Sequence, residues 1–317
     1  MVMRILKSVL LTLSTGYILM YFSEHLFWSR IRPGDSITGW FATWIAYSLM
    51  AFIFLVLVSY FRVKTLWSLF LAGAIFGWIG EGIVVQTAYE MLPLSISFTG
   101  LAWHALIAVW VGWYAFQKSL LSSNPRSILK LSIGVGFCYG LWAINWWLEP
   151  DGGVSSVSEF AAFSFITTLL VILAYRLANW SSSASLILNR WIIIFISSIF
   201  LLYFCFVTIP AVSVAAIILP LLFGITFLAL FQNRINESEG SFLDMYGERT
   251  PFLRYLSLFV LPATGVLFYA LAVTLNLRWH TGWILYLITT PLGFLLFGVS
   301  LYKIRQRKSV SPLRQSG

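Results

Sequence analysis

Charged side chains are scarce in this chain, and the scarcity excludes a soluble domain. Asp, Glu, Lys and Arg make up 10% of the 317 residues against 60% apolar ones, too little polar surface to coat a water-borne fold. Acids are scarcer than bases, 11 against 20. The net charge of +9 would suit nucleic acid if it were clustered, but the basic residues stand singly or in pairs at the ends of apolar runs, where they orient helices in a membrane. No nucleic-acid partner is expected. Histidine occurs three times and cysteine twice, Cys138 and Cys205 lying in separate apolar runs and reading as small buried hydrophobes. No HExxH or CxxC spacing, Gly-rich phosphate loop, GxSxG elbow or pair of catalytic aspartates is present, so no motif names a chemistry.

What the chain does have is apolar length. Runs of about 20 apolar residues recur, each long enough to cross a hydrocarbon core of roughly 30 Å as a helix. The sequence predicts an all-α polytopic transmembrane bundle of about ten helices, a single membrane domain with spans at about 5–28, 37–61, 65–90, 98–117, 127–148, 159–179, 187–208, 210–232, 253–276 and 280–302. The opening MVMRILK resembles a signal peptide, but the apolar run continues to about Trp28 without a small-x-small site, so it reads as a retained first span. Only Thr208, Ile209 and Pro210 separate the seventh and eighth spans, a minimal turn that leaves a kinked or re-entrant arrangement open. Pro220, Pro262 and Pro291 interrupt late spans, whereas the first half has no interior proline.

With the N-terminus cytoplasmic and ten spans, only Arg30, Arg32 and Arg278 of the 20 basic residues fall outside, an asymmetry that puts both termini in the cytoplasm. The connection at about 232–252 reads as a flexible cytoplasmic loop, and 303–317 as a basic cytoplasmic tail with affinity for anionic lipid. The sequons at Asn179 and Asn236 then lie inside, and the short loops suit the plasma membrane of a bacterium or archaeon.

Ionisable groups inside a bilayer are expensive and therefore point to function. On this topology His25, His104 and His280 share the outer half with Glu24, Asp35, Glu81, Glu90, Glu149, Asp151 and Glu159. Glu81 would sit roughly 13 Å below the outer end of the third span and His104 roughly 10 Å below that of the fourth. Gly73, Gly77 and Glu81 repeat every fourth residue, a face that lets another backbone come close. Glu81 and His104 are thus a candidate proton-transfer pair, two ligands of a metal, or a buried hydrogen bond that fixes packing.

Around the pair, Tyr17, Tyr21, Glu24 and Trp28 follow helical spacing beside His25, and Tyr139, Trp142, Asn145 or Trp146, and Glu149 repeat the pattern on the fifth span. Tryptophan is enriched toward the same side (Trp28, Trp40, Trp44, Trp103, Trp142, Trp146, Trp147, Trp279 and Trp283), more one-sidedly than an interfacial belt requires. Candidate substrate contacts are Tyr21, Glu24, His25, Trp103, Asn145, Trp146, Glu149, Arg278 and His280, with Arg278 either meeting an anion or pairing with Glu149 or Asp151. Zinc would draw on His25, Glu81, His104 and His280, without the usual close ligand spacing.

Three functions fit. The first is a membrane-embedded enzyme acting on a lipid or lipid-linked substrate, with a small hydrophobic or amphipathic ligand in the outer half and membrane lipids as its surroundings. The second is a secondary transporter with Glu81 as coupling carboxylate; in size and topology the chain resembles the drug/metabolite transporter superfamily, which implies a pocket that alternates between the two sides. The third is a noncatalytic subunit or assembly factor of a membrane complex.

Overall fold

In the computed structural model the described residues are 2–149, 153–181, 186–248 and 250–310, with backbone alone over 307–310. Asp151, Arg249, Arg314 and the end of the basic tail lie outside them. Among the described residues there is no strand. Ten helices are long and apolar enough to cross a membrane: α1 Val2–Trp28, α2 Ile37–Tyr60, α3 Leu66–Val84, α4 Ile96–Leu121, α5 Arg126–Trp147, α6 Val157–Ser181, α7 Arg190–Ala211, α8 Ala215–Asn236, α9 Phe252–Thr274 and α10 Thr281–Gln306. The chain is a multi-pass membrane protein.

α3 is the most enclosed span. It starts at a reciprocal cap between Thr65 and Ser68, which satisfies two of the backbone donors a helix start leaves open. It is apolar on every face, as a helix surrounded by others must be. α2, α4, α8 and α10 pack around it, while α1 joins α2, α4 and α6, and α5 pairs with α9. Gly73 and Gly77 let α4 come against α3: a Cβ on Gly77 would stand 2.7 Å from the His104 Cβ, and one on Gly73 2.9 Å from the Ala105 Cα. α7 lies at the edge against α2 and the end of α3, with Phe195, Leu201 and Phe206 exposed as lipid-facing side chains.

The structure corrects several boundaries. α3 stops at Val84 rather than near 90, because Gln86 takes a left-handed backbone (φ 67°) and a tight turn, Thr87–Tyr89, folds the chain back. Glu81 is therefore in the last turn of α3, roughly 5 Å along the axis from its end. α7 continues through Pro210 to Ala211, and the reversal falls at Val212 to Val214. A widened π-helical turn, Phe204–Thr208, precedes the proline and relieves the clash its ring would make one turn back. α7 and α8 are both full-length at 22 residues, so neither is re-entrant.

The predicted flexible loop is instead a packed strap. Ser241 and Asp244 cap each other, the Phe242 amide donates to the Val63 carbonyl at 2.8 Å, and Lys64 donates to the Ser238 hydroxyl at 2.9 Å. Leu243 and Tyr246 are buried, and the Tyr246 hydroxyl donates to the Trp113 carbonyl at 2.8 Å. Replacing Tyr246 with phenylalanine is expected to cost about 1 kcal/mol, the net worth of one buried hydrogen bond, and with alanine about 3–5 kcal/mol, read as successive drops in thermal midpoint in detergent.

Candidate functional site

Several polar side chains of the bundle converge on one cavity, at the end that carries the connections 29–36 and 85–95. Its volume is about 720 Å³, within the range of small-molecule sites. Three helices bring acid–base groups to its wall, each from a π-wound stretch: Glu24 from Tyr21–His25 of α1, Glu81 from Ile79–Val84 of α3, and His104 from Ile96–Phe116 of α4. Such windings break the usual register and are concentrated at functional sites.

Glu24, Tyr47 and His104 are linked by hydrogen bonds, and Glu81 stands within ion-pair distance of the histidine. Glu24 accepts from the Trp28 indole at 3.0 Å and from the Tyr47 hydroxyl at 2.7 Å. That hydroxyl lies 3.2 Å from His104 Nε2, which stands 3.5 Å from Glu81 Oε1. Glu81 accepts in turn from the Thr87 hydroxyl. His104 Nδ1 is 2.9 Å from the Thr99 carbonyl, which five-residue winding places one turn before it. A carbonyl only accepts, so Nδ1 carries a proton and Nε2 is the nitrogen that exchanges. When Nε2 is also protonated it can donate to Tyr47 or Glu81; when it is bare, a protonated Glu81 can donate to it, because the one Tyr47 proton already goes to Glu24.

Aromatic rings complete the wall. Trp28 and Trp146 stack at 4.9 Å, and Trp103 packs edge-on to Phe27 at 4.8 Å. The Phe27 carbonyl, left open at the end of α1, accepts from the indoles of Trp142 at 2.5 Å and Trp146 at 2.8 Å. Arg32 stands over Trp28 at 4.0 Å and pairs with Asp35 at 3.1 Å. Away from the cavity a line of buried ring contacts runs from His104: Phe76 at 5.6 Å, then Phe54 at 6.1 Å, Trp113 at 5.0 Å and Tyr246 at 5.2 Å.

Of the residues singled out from sequence, Glu24, Glu81, Trp103, His104 and Trp146 line this cavity. The others lie elsewhere. The π turn in α1 swings Tyr21 toward α6, where its hydroxyl meets Thr168 at 2.7 Å. It buries His25 among Tyr17, Trp40 and Phe163, with Tyr17 3.3 Å from Nε2. Asn145 accepts from the Gly282 amide at 3.1 Å, capping α10, and Glu149 is exposed, 3.4 Å from Asn145. Arg278 is exposed and donates to Asn276 at 3.2 Å rather than to Glu149. His280 is exposed in the turn before α10. Of the four zinc-ligand candidates Glu81 and His104 meet but His25 and His280 lie elsewhere, and among the described residues no three His, Cys, Asp or Glu side chains are placed to hold a metal.

Tyr47, Thr87 and Thr99 are lining residues that sequence reading passed over, and Arg32 and Glu90, placed on the outer side from sequence, were not among the candidate contacts. Tyr47 carried a signal: with Trp40 and Trp44 it repeats at near-helical spacing along the second span.

No protein-family model matches the chain, and neither a curated protein nor a solved structure is similar to it. The site's own chemistry must carry the functional reading.

Proposed function

We propose that the cavity is the active site of a membrane-embedded enzyme performing acid–base chemistry on a lipid or lipid-linked substrate. The observation that carries this reading is the run of contacts from Glu24 through Tyr47 and His104 to Glu81 on the wall of an aromatic cavity. His104 Nε2 takes a proton from a substrate hydroxyl or water, the Glu81 carboxylate stabilises the imidazolium, and Tyr47 with Glu24 orients the ring and relays the proton onward. Trp28, Trp103 and Trp146 accommodate the apolar body of an amphipathic substrate. Asymmetric Lys and Arg placement supports a cavity on the outer side, and the short loops suit the plasma membrane of a bacterium or archaeon. A transporter needs a polar path to both sides, and the column of rings from Phe76 to Tyr246 opposes one.

The test compares total lipid extracts of membranes expressing the wild-type chain and Glu81→Gln, a change that keeps volume and a hydrogen-bond acceptor. The expected result is a lipid species that shifts in mass with the wild type and stays unconverted with the variant. Identical lipid profiles, together with uptake into proteoliposomes that Glu81→Gln abolishes, would replace the enzyme by a transporter.

A further inference from the structure

The charge balance of the cavity narrows its ligand further. Glu24, Glu81 and Glu90 all lie on its lining; of the nearby guanidiniums, Arg32 on the lining is matched by Asp35 at 3.1 Å, and Arg30 stands outside the lining over the Trp146 ring at 5.7 Å. Glu24 receives hydrogen bonds from the neutral groups Trp28 and Tyr47 and has no basic partner among the described residues. His104 offsets one carboxylate at most. Arg278, the candidate anion contact, is exposed and not on the cavity lining. The Tyr286 hydroxyl on the lining has no hydrogen-bond partner among the described residues, and the Ser23 hydroxyl, 4% exposed, lies against that of Tyr47. Uncompensated carboxylates beside indole rings attract organic cations and repel anions.

Resting on the reading of this cavity as a substrate site, we infer that it selects amphiphiles with a positively charged ammonium head group. The head group sits among Glu24, Glu81 and the rings of Trp28, Trp103 and Trp146, and the Tyr286 hydroxyl serves its remaining polar atoms. Glu90 at the rim draws the cation in.

The experiment is equilibrium binding to the full chain in dodecyl maltoside micelles, with radiolabelled dodecyltrimethylammonium and dodecyl sulfate as probes of equal tail length. Saturable binding of the cation at least about tenfold tighter than the anion is expected, the size of one retained charge contact. Glu24→Gln should remove that preference, whereas Glu149→Gln, outside the cavity, should leave it unchanged. Equal or tighter binding of dodecyl sulfate, or an unaltered preference in a folded Glu24→Gln protein, would overturn the inference. Binding is read without turnover, so the two readings fail separately. Cation binding with no lipid conversion defeats only the enzyme, and lipid conversion with anion preference defeats only the head-group assignment.

Discussion

His104→Gln is expected to lower turnover of the converted lipid by about 10²–10⁴-fold, the usual contribution of a positioned acid–base group, while the bundle stays folded. The expectation follows from the proton arrangement. Nδ1 is committed to the Thr99 carbonyl, leaving Nε2 as the atom that both Tyr47 and Glu81 approach. Glutamine can hydrogen-bond in the same space but cannot accept a proton at working pH. Tyr47→Phe should be milder, because it breaks the link to Glu24 and leaves the His104 to Glu81 contact in place. Rates in proteoliposomes separate these cases: a loss in kcat at constant KM marks the chemical step, and a rise in KM alone marks binding. Wild-type turnover in a folded His104→Gln protein would remove this histidine from the reaction.

Gly77→Val should be the most damaging substitution in the bundle outside the cavity wall. Its first added carbon would stand 2.7 Å from the His104 Cβ and close to the Gly100 backbone, so α4 must move away from α3. Overpacking of this kind costs about 1–3 kcal/mol where neighbours can shift, and here the neighbour is backbone. Moving α4 also separates His104 from Glu81, so stability and turnover fall together. Gly224 provides the contrast, since nothing lies within 4 Å of the Cβ position there. A Gly77→Val protein that melts with Gly224→Val and keeps its activity would show that the α3–α4 contact does not need its glycine.

The spans were legible because apolar length is a crude and robust signal; their ends were not. α3 ends where Gln86 adopts a left-handed backbone, which glutamine does not advertise, and that error placed Glu81 too deep. Gly73 and Gly77 were readable as a close-approach face because their spacing matches the helix period. The cavity was half legible for the opposite reason: regular helical spacing grouped Tyr21 and His25 with Glu24, but the π turn at Tyr21–His25 rotates them out of register. The strap hid its Phe242, Leu243 and Tyr246 among polar neighbours, so its composition read as a loop although its apolar residues dock it.

The column of rings below His104 has an electrical consequence. A transmembrane voltage drops mainly where neither water nor ions penetrate, so packed rings from Phe76 to Tyr246 would take more of it than a water-filled cavity. Crossing the whole field costs about 2.3 kcal/mol per charge per 100 mV; a proton passing between such a cavity and His104 would cross little of it. Acid–base exchange at this histidine would then be nearly insensitive to membrane potential.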